Sequence, residues 1–321
     1  MSTGRLSSEG RERLVTRVAR MYHQRGLNQP QIAEQLHVSQ AKVSRLLKLA
    51  EELGIVRVEV IAPPGDSSAM EERLVSEYGL VDAVIANTTG TNETENREAI
   101  GAAAAAYLRD TLLSHERIGV SPWSATLLST VTNLERFPRP VADCVVQVVG
   151  GESGSLTQIQ ATKVTDELAR LSGGTPIFLN SPAIVTQKGL GSAILREPNV
   201  EKVAAEWNYL TVLIAGIRAF DATASPQPND RLSLDQQILL CKMGAVGGIC
   251  LRYFDADGNP VSICDDQIIG IDRTTLLKVP RRIAVAGGLH KAAAIYGALK
   301  GGWANILVTD LDTAEFLLTH K

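Results

Sequence analysis

Apolar residues repeat at helical spacing on both sides of a turn within residues 29–53, the first stretch with a clear hydrophobic pattern. They are Ile32, Ala33, Leu36, Val43, Leu46, Leu47 and Ala50, with Val38 in the turn. Ser39 is a good N-cap for the second helix. The polar residues that face outwards in this pattern include donors and cations suited to base edges and phosphates. The candidate DNA contacts are Gln29, Gln40, Lys42, Ser44, Arg45 and Lys48.

This spacing is typical of a helix-turn-helix, whose second helix, here 39–53, would enter the major groove of DNA. An ordinary helical hairpin with a solvated polar face would show a similar pattern. The short first helix, the apolar residue in the turn and the N-cap serine favour DNA binding. We expect base-edge contacts from Gln40, Lys42 and Ser44, and phosphate contacts from Arg45 and Lys48.

Two flanking segments complete a predicted N-terminal domain of residues 1–62. Residues 9–25 predict a leading helix whose apolar face packs on the two helices that follow. Its apolar residues are Leu14, Val15, Val18, Ala19 and Tyr22. Residues 55–62 alternate apolar and polar side chains, which predicts a strand and therefore a winged variant of the helix-turn-helix.

Residues 63–68 are rich in proline, glycine and serine and predict a linker, after which strands alternate with helices through a second domain, 69–321. The strand candidates are 82–87, 117–121, 143–150, 175–180, 210–217, 247–255, 282–288 and 305–310. Most are apolar nearly throughout, as strands are when helices cover both faces of a sheet. The predicted fold class is therefore α/β, with a doubly wound, mostly parallel sheet that binds ligands at the carboxyl ends of its strands.

Composition and charge agree with this organisation. The 321 residues are enough for two domains, and 45% are hydrophobic and 21% charged. The net charge of -3 by itself argues against nucleic-acid binding, but residues 1–62 contain ten Lys or Arg and six Asp or Glu. The N-terminal domain therefore carries +4 and the remainder -7. A basic N-terminal domain joined to an acidic remainder is typical of a separate DNA-binding module.

Several other kinds of site are not expected. The four cysteines have no CxxC spacing and the five histidines no metal-binding spacing, so we predict neither a disulfide framework nor a metal site. Residues 255–259 resemble the start of a calcium loop without its closing glutamate, and a hairpin turn is expected there. No GxGxxG follows a strand, so no dinucleotide or other cofactor is predicted. The sequence shows no secretory signal or membrane-spanning run, and we expect a cytoplasmic protein.

Three predicted strands end in glycine-rich or hydroxyl-rich loops of the kind that hold anions. The candidate effector contacts in them are Ser121, Trp123, Ser124, Thr126, Gly150, Gly151, Gly287, Gly288 and Lys291. Asp310 ends the last strand and is a candidate for a sugar-hydroxyl contact. Each glycine pair alone could be a tight turn. Three such loops in one α/β domain predict a phosphorylated small ligand.

The chain resembles the SorC family of bacterial sugar-binding transcriptional regulators over almost its whole length. The matching stretches are LNQPQIAEQLHVSQAKVSRLLKLAEELGIVRVEV, GVSPWSATL, VVGGESG, GAVGGICLRYFDADGNPV and VAGGLHKAAAIYGALKGGWANILVTDLDTAEFLL. The resemblance implies a C-terminal domain that is similar to sugar-phosphate isomerases but acts as a sensor of phosphorylated sugars. It also implies a tetramer, or at least a dimer, on double-stranded operator DNA.

In this family the phosphate and sugar contacts fall on positions that the resemblance maps onto the loops described above. They correspond here to Ser121, Ser124, Thr126, Gly150, Gly151 and Lys291, and Gln158 or Gln160 would add a contact from the following helix. Two positions depart from the family pattern. Gly248 stands where an acidic residue commonly follows GAVG, and Pro122 interrupts a GVSWG-like run. A sugar, a polyol and a sugar phosphate therefore all stay open as effectors.

The function expected from these observations is sequence-specific regulation of transcription in carbohydrate or polyol metabolism, without catalysis. The alternative is an enzyme of the sugar-phosphate isomerase or deaminase type with a regulatory DNA-binding head. Such an enzyme needs a general acid and base beside the ligand, and no convincing pair stands near the predicted loops.

Overall fold

The computed structural model describes residues 8–57, 67–88, 92–121, 123–151, 155–220 and 232–320, and of residues 8, 9 and 155–161 the backbone alone. The described residues form two compact units, of which the first contains residues 8–57 and the second the residues from 67 onwards. Most of the predicted linker, 63–68, lies outside the described residues, and the predicted domain limits stay a prediction.

The first unit contains the helices that the hydrophobic pattern predicts. They are α1, Ser8–His23; α2, Gln29–Leu36; and α3, Gln40–Glu52. Asn28 and Gln31 form a capping box at the start of α2, since each side chain accepts a hydrogen bond from the other's backbone N–H. At the start of α3, the Ser39 hydroxyl accepts the Lys42 N–H at 3.3 Å. The N-cap predicted at Ser39 is therefore confirmed.

A small apolar core joins these three helices. Its fully or nearly fully buried members are Val15, Val18, Ala19, Met21, Ile32, Ala33, Val43, Leu46, Leu47 and Ala50. One expectation for α1 was wrong, because Met21 packs inside while Tyr22 is 39% exposed. The two residues are neighbours on the helix, and the more flexible thioether fills the space between helices. Residues 55–57 are not a strand, and the rest of the predicted wing strand lies outside the described residues.

The second unit alternates strands with helices. Its strands are β1, Asp82–Ala86; β2, Glu116–Val120; β3, Ala142–Gln147; β4, Thr175–Ile177; β5, Val212–Ala215; β6, Arg218–Ala219; β7, Ala245–Ile249; β8, Arg252–Asp255; β9, Pro260–Val261; β10, Arg281–Val285; and β11, Ile306–Asp310. Its helices are α4, Ser68–Tyr78; α5, Glu93–Thr111; α6, Ala125–Asn133; α7, Ser155–Ser172; α8, Leu190–Ile194; α9, Pro198–Glu206; α10, Leu234–Lys242; α11, Arg273–Lys278; α12, Ala292–Lys300; and α13, Leu311–Thr319.

In the described part of the chain, seven of these strands form a parallel sheet in the order β1-β11-β10-β5-β2-β3-β4. Apolar side chains on both faces are buried. Along β11, Ile306 and Val308 pack into one core together with α5, while Leu307 packs into the other core together with α12 and α13. The doubly wound, mostly parallel sheet predicted from the near-continuous apolar strands is therefore confirmed.

One predicted strand was wrong. Residues 247–255 are a hairpin, in which β7 and β8 run antiparallel within a second sheet whose described strands have the order β6-β7-β8-β9. The turn lies at Cys250 and Leu251, which have φ values of 52° and 62°. A two-residue hairpin with both central φ values positive normally uses asparagine or glycine, so the sequence carried no turn signal here. The predicted turn at 255–259 is confirmed, because the Asp255 carboxylate accepts the N–H groups of Asp257 and Asn259.

The order of the parallel strands determines where a ligand can bind. The chain leaves β2 towards β3 and β4 at one edge, then returns through β5, β10 and β11 towards the other edge. The direction of winding therefore reverses between β2 and β5. In open α/β sheets a crevice forms at this reversal, outside the carboxyl ends of the strands.

Candidate functional sites

A cavity of about 890 Å³ lies at the carboxyl edge of the parallel sheet, where the strand order reverses. It is formed by the loops that follow β2, β5, β10 and β11, by the start of α5 and by the tip of the β7–β8 hairpin. The predicted effector residues that line it are Ser121, Trp123, Ser124, Thr126, Gly287, Gly288, Lys291 and Asp310. Eight residues chosen from three separate strand ends thus meet around one space.

The N-terminus of α6 forms one wall of the cavity. Ser124 caps the helix, since its hydroxyl accepts the Leu127 N–H at 3.2 Å. The first N–H groups of a helix have no partner within the helix, and with the helix dipole they favour an anion. Gly216, which follows β5, packs directly on this cap, because a Cβ there would lie 2.7 Å from the Ser124 hydroxyl oxygen. The glycine therefore allows the β5 loop to approach the start of α6.

Another wall of the cavity is the loop 287–291, which is held in place by Asp310. The Gly288 N–H donates to the Asp310 carboxylate at 2.6 Å and to the Thr313 hydroxyl at 2.9 Å. Gly288 has φ +96°, a conformation that favours glycine. A Cβ on Gly287 would collide with the same Asp310 carboxylate. Both glycines are therefore needed for the loop to pack against the end of β11.

The carboxylate of Asp310 already accepts hydrogen bonds from within the protein, whereas a sugar hydroxyl would need a free acceptor. It is 2% exposed and caps α13, where its carboxylate accepts the N–H and the hydroxyl of Thr313, both at 2.9 Å. Together with the Gly288 bond, these contacts occupy both carboxylate oxygens. The residue lines the cavity, but its hydrogen bonds in this structure fix the loop and the helix around it.

Positive charge inside the cavity comes from three half-buried side chains, Lys291, Arg97 and Arg218. Burial lowers the pKa of Lys291 from its ordinary value, the nearby Glu93 raises it and Arg97 lowers it further. Glu93 and Asp312, the other acids that line the cavity, are exposed at its rim. An anion that entered would therefore meet these three cations in a partly desolvated space.

Arg97 and Arg218 were not among the sequence-based candidates. The reasoning used for the other loops could have identified Arg218, because it follows the apolar strand 210–217 at the same edge of the sheet. It could not have identified Arg97, which lies in the first turns of α5. The strand that precedes α5, β1, is at the far side of the sheet. Only the packing of α5 across the sheet brings its first turns into the cavity.

Gly150 and Gly151 do not line the cavity and do not form the open anion loop that was expected. The Gly150 N–H donates to the Ile269 carbonyl at 2.9 Å, and the Gly151 N–H donates to the Ser181 carbonyl at 2.6 Å. The chain after β3 stays extended and pairs with neighbouring segments through these bonds. Its N–H groups are thus already used, which corrects the expectation. The Gln158 side chain lies outside the described residues.

One of the two positions that depart from the expected family pattern lines this cavity. Pro122 lies outside the described residues. Gly248 lines the cavity, and a Cβ there would lie 2.8 Å from the Tyr253 ring. The ring therefore occupies the space that a larger residue at 248 would need. Cys250 also lines the cavity. Burial raises the pKa of its thiol to about 12, although a hydrogen bond with Ser121 acts to lower it, so the thiol is protonated at neutral pH.

A candidate nucleic-acid interface lies on the first unit. The residues of α3 predicted to contact DNA are exposed; they are Gln40, Lys42, Ser44, Arg45 and Lys48. Gln29, at the start of α2, is half-buried. Four exposed arginines that were not among the predicted contacts, in α1 and just after it, surround a groove beside α2: Arg13, Arg17, Arg20 and Arg25. They extend the basic surface beyond the predicted set.

None of the helices among the described residues is long and apolar enough to cross a membrane. No group of three or more His, Cys, Asp or Glu side chains in this part of the chain could hold a metal ion.

The chain is similar to known proteins along almost its whole length. Residues 47–319 match the family described as "Putative sugar-binding domain". The chain is 30% identical over 310 residues to the deoxyribonucleoside regulator of Bacillus subtilis (strain 168), covering 96% of this chain and 98% of that protein. It is 27% identical over 308 residues to the sorbitol operon regulator of Klebsiella pneumoniae, covering 95% and 98%. The crystal structure of that regulator, SorC, superimposes with a TM-score of 0.71 over 96% of this chain and 98% of that one.

Proposed function

Since the chain belongs to the SorC family of sugar-binding transcriptional regulators, we propose that a phosphorylated sugar or polyol binds its cavity and controls its affinity for operator DNA. Regulation of transcription is the activity named for its relatives.

The DNA-binding surface in this proposal is the exposed face of α3. Gln40, Lys42 and Ser44 contact base edges, while Arg45 and Lys48 contact phosphates. The α1 arginines add further phosphate contacts, which strengthen binding without reading sequence. Gln29 contacts the DNA backbone from the start of α2. A two-fold symmetric assembly of this chain would present two copies of α3 to a palindromic site.

The observation that carries the effector proposal is the placement of Lys291, Arg97 and Arg218 around the N-terminus of α6. Three half-buried cations and free helix N–H groups together favour a phosphate or another compact dianion. Hydroxyl groups at Ser121, Ser124 and Thr126 line the same cavity and suit the polyhydroxylated part of a sugar. The cavity thus offers groups suited to each half of a sugar phosphate.

We further propose that the cavity is a sensor and not an active site. Isomerisation or deamination of a sugar phosphate needs a positioned general acid and base. Among the described acids of the cavity, Asp310 has both oxygens occupied by hydrogen bonds, and Glu93 and Asp312 are exposed at the rim. A coupled assay for aldose–ketose interconversion should give no turnover. Turnover that disappears in Lys291→Ala would contradict the sensor proposal.

The test of the effector is a thermal-shift screen of the full chain against sugars, polyols and their phosphates. We expect stabilisation by phosphorylated compounds, competition by inorganic phosphate, and loss of both effects in Lys291→Ala. Lys300→Ala is the matched control, because Lys300 is an exposed lysine on the adjacent helix α12. A compound that stabilises wild type and Lys291→Ala equally would show that the effector is held elsewhere or carries no phosphate.

A further inference from the structure

The helix α5 contains a glycine, Gly101, that its local sequence does not explain. It stands directly before a run of alanines, in the interior of a helix that extends from Glu93 to Thr111. Glycine in a helix interior is less favourable than alanine, because it loses more backbone freedom on folding. The reason for a glycine at this position must therefore lie in what the helix packs against.

The neighbour of Gly101 is Ser129 of α6. A Cβ on Gly101 would lie 2.3 Å from the Ser129 hydroxyl oxygen, 2.6 Å from its Cβ and 2.9 Å from its backbone carbonyl carbon. Rotation of the Ser129 side chain could move only the hydroxyl oxygen away. Because nonbonded carbon atoms rest about 3.5–4.0 Å apart, a side chain at position 101 would push the two helices apart by about 1 Å.

This contact lies one turn away from the cavity on both helices. The helices α5 and α6 each follow a strand of the parallel sheet, so both start at its carboxyl edge. One turn towards that edge from Gly101 is Arg97, and one turn from Ser129 is Ala125, the first residue of α6. Arg97 and Ala125 both line the cavity. The contact therefore places Arg97 at the level of the N-terminus of α6.

The preceding residue of α5, Ile100, packs against a second wall of the cavity. A Cβ on Gly287 would lie 2.6 Å from the Ile100 Cδ1, so Ile100 contacts the loop that carries Lys291. Burial lowers the pKa of Lys291, and the nearby charge of Arg97 lowers it further. Ile100 and Gly101 thus hold α5 against both walls, and Arg97 lies one turn before them.

We propose that Gly101 is a positioning residue for effector binding, which brings the Arg97 guanidinium to the anionic group held by Lys291 and the N-terminus of α6. The inference rests on the proposed function, in which this group is the phosphate of the effector. Charge-assisted hydrogen bonds from arginine are about 2.7–2.9 Å long, so a displacement of about 1 Å removes them. Gly101 itself does not line the cavity, and its substitution therefore changes the position of a contact without deleting one.

The test compares wild type with Arg97→Ala, Gly101→Ala and the double variant, each as the full chain. A thermal-shift titration with inorganic phosphate measures the affinity of each form. Arg97→Ala and Gly101→Ala should each bind phosphate about tenfold more weakly, as expected for the loss of one hydrogen bond between charged groups. The double variant should bind no more weakly than Arg97→Ala alone, because Gly101 acts through Arg97.

Two further variants separate this role from a general packing defect. Gly191→Ala is the matched control, because a Cβ there would lie 2.6 Å from the Asp266 carbonyl oxygen in α8, a helix that does not line the cavity. Its phosphate affinity should equal that of wild type. Ser129→Gly removes two of the three colliding atoms, so adding it to Gly101→Ala should restore part of the lost affinity.

Several results would overturn the inference. They are wild-type affinity in Gly101→Ala, an equal further loss when Gly101→Ala is added to Arg97→Ala, an equal loss in Gly191→Ala, and no rescue by Ser129→Gly. If Gly101→Ala does not fold, the same comparison is made in the Ser129→Gly background, where the collision is smaller. Failure of the proposed function looks different, because wild type itself would then not respond to phosphate, and both proposals would be overturned.

Discussion

Asp310 and Asp272 make a natural pair for measuring what the buried carboxylate of the cavity contributes. Each caps a helix in the same way, by accepting the N–H and the hydroxyl of a threonine three residues later. The bonds have similar lengths, 2.9 and 2.9 Å at Asp310 and 3.0 and 2.7 Å at Asp272. Two features differ. Asp310 is buried and also accepts the Gly288 N–H at 2.6 Å, whereas Asp272 is exposed.

The expected loss of stability follows from this comparison. Asp272→Ala removes an exposed N-cap, which costs about 1 kcal/mol. Asp310→Ala removes the same cap and in addition a charged hydrogen bond to Gly288, so it should cost about 1–3 kcal/mol more. The Gly288 N–H then keeps only its hydrogen bond to Thr313, so the loop 287–291 is held less firmly at the end of β11. We therefore expect Asp310→Ala also to weaken the response to effector, which Asp272→Ala should leave intact.

Urea denaturation followed by tryptophan fluorescence measures both free energies of unfolding. The three tryptophans of the chain are Trp123, Trp207 and Trp303, so the signal reports on the second unit alone. Because both variants lose an N-cap, the difference between their free energies of unfolding measures what the Gly288 bond and the burial of Asp310 contribute. Equal destabilisation by the two substitutions would refute the reasoning, since it would mean that the Gly288 bond and the burial of Asp310 contribute nothing to stability.

Three other predictions concern charge and thiol chemistry. Arg45→Ala should weaken operator binding and lower the slope of log affinity against log salt by about 0.9, as expected for one lost phosphate contact. Arg109→Ala, which changes an exposed arginine of the second unit, is the control. An unchanged slope for Arg45→Ala in a filter-binding titration would contradict the phosphate contact. The affinity for a phosphorylated effector should fall as pH rises towards the lowered pKa of Lys291, because the neutral amine no longer attracts the anion. Isothermal titration calorimetry across this pH range measures the affinity. If the affinity does not change with pH and Lys291→Ala matches wild type, Lys291 is not part of the site. Burial raises the pKa of the Cys144, Cys250 and Cys264 thiols, that of Cys250 to about 12. Cys241, which is less buried, should therefore react first with a thiol reagent at pH 8. Equal labelling of two or more thiols in mass spectrometry would contradict this argument.

The sequence by itself determined the elements whose cause is local. The three helices of the first unit follow from apolar spacing and from caps at Asn28 and Ser39, which act within a few residues. The parallel strands follow from apolar runs that are buried on both faces. Loops at the ends of β2, β10 and β11 could be identified as parts of a ligand site because parallel strands end at one edge of a sheet.

Only the tertiary structure decided which of these groups have partners. Gly150 and Gly151 resemble the other glycine loops in sequence, but their N–H groups bond to carbonyls from residues about 30 and 120 positions away in a sheet-like pairing. Asp310 looked available for a ligand and is occupied by Gly288 and Thr313. Arg97 enters the cavity because α5 packs across the sheet. Hydrogen-bond partners that are distant along the chain are chosen by packing, and no local pattern encodes them.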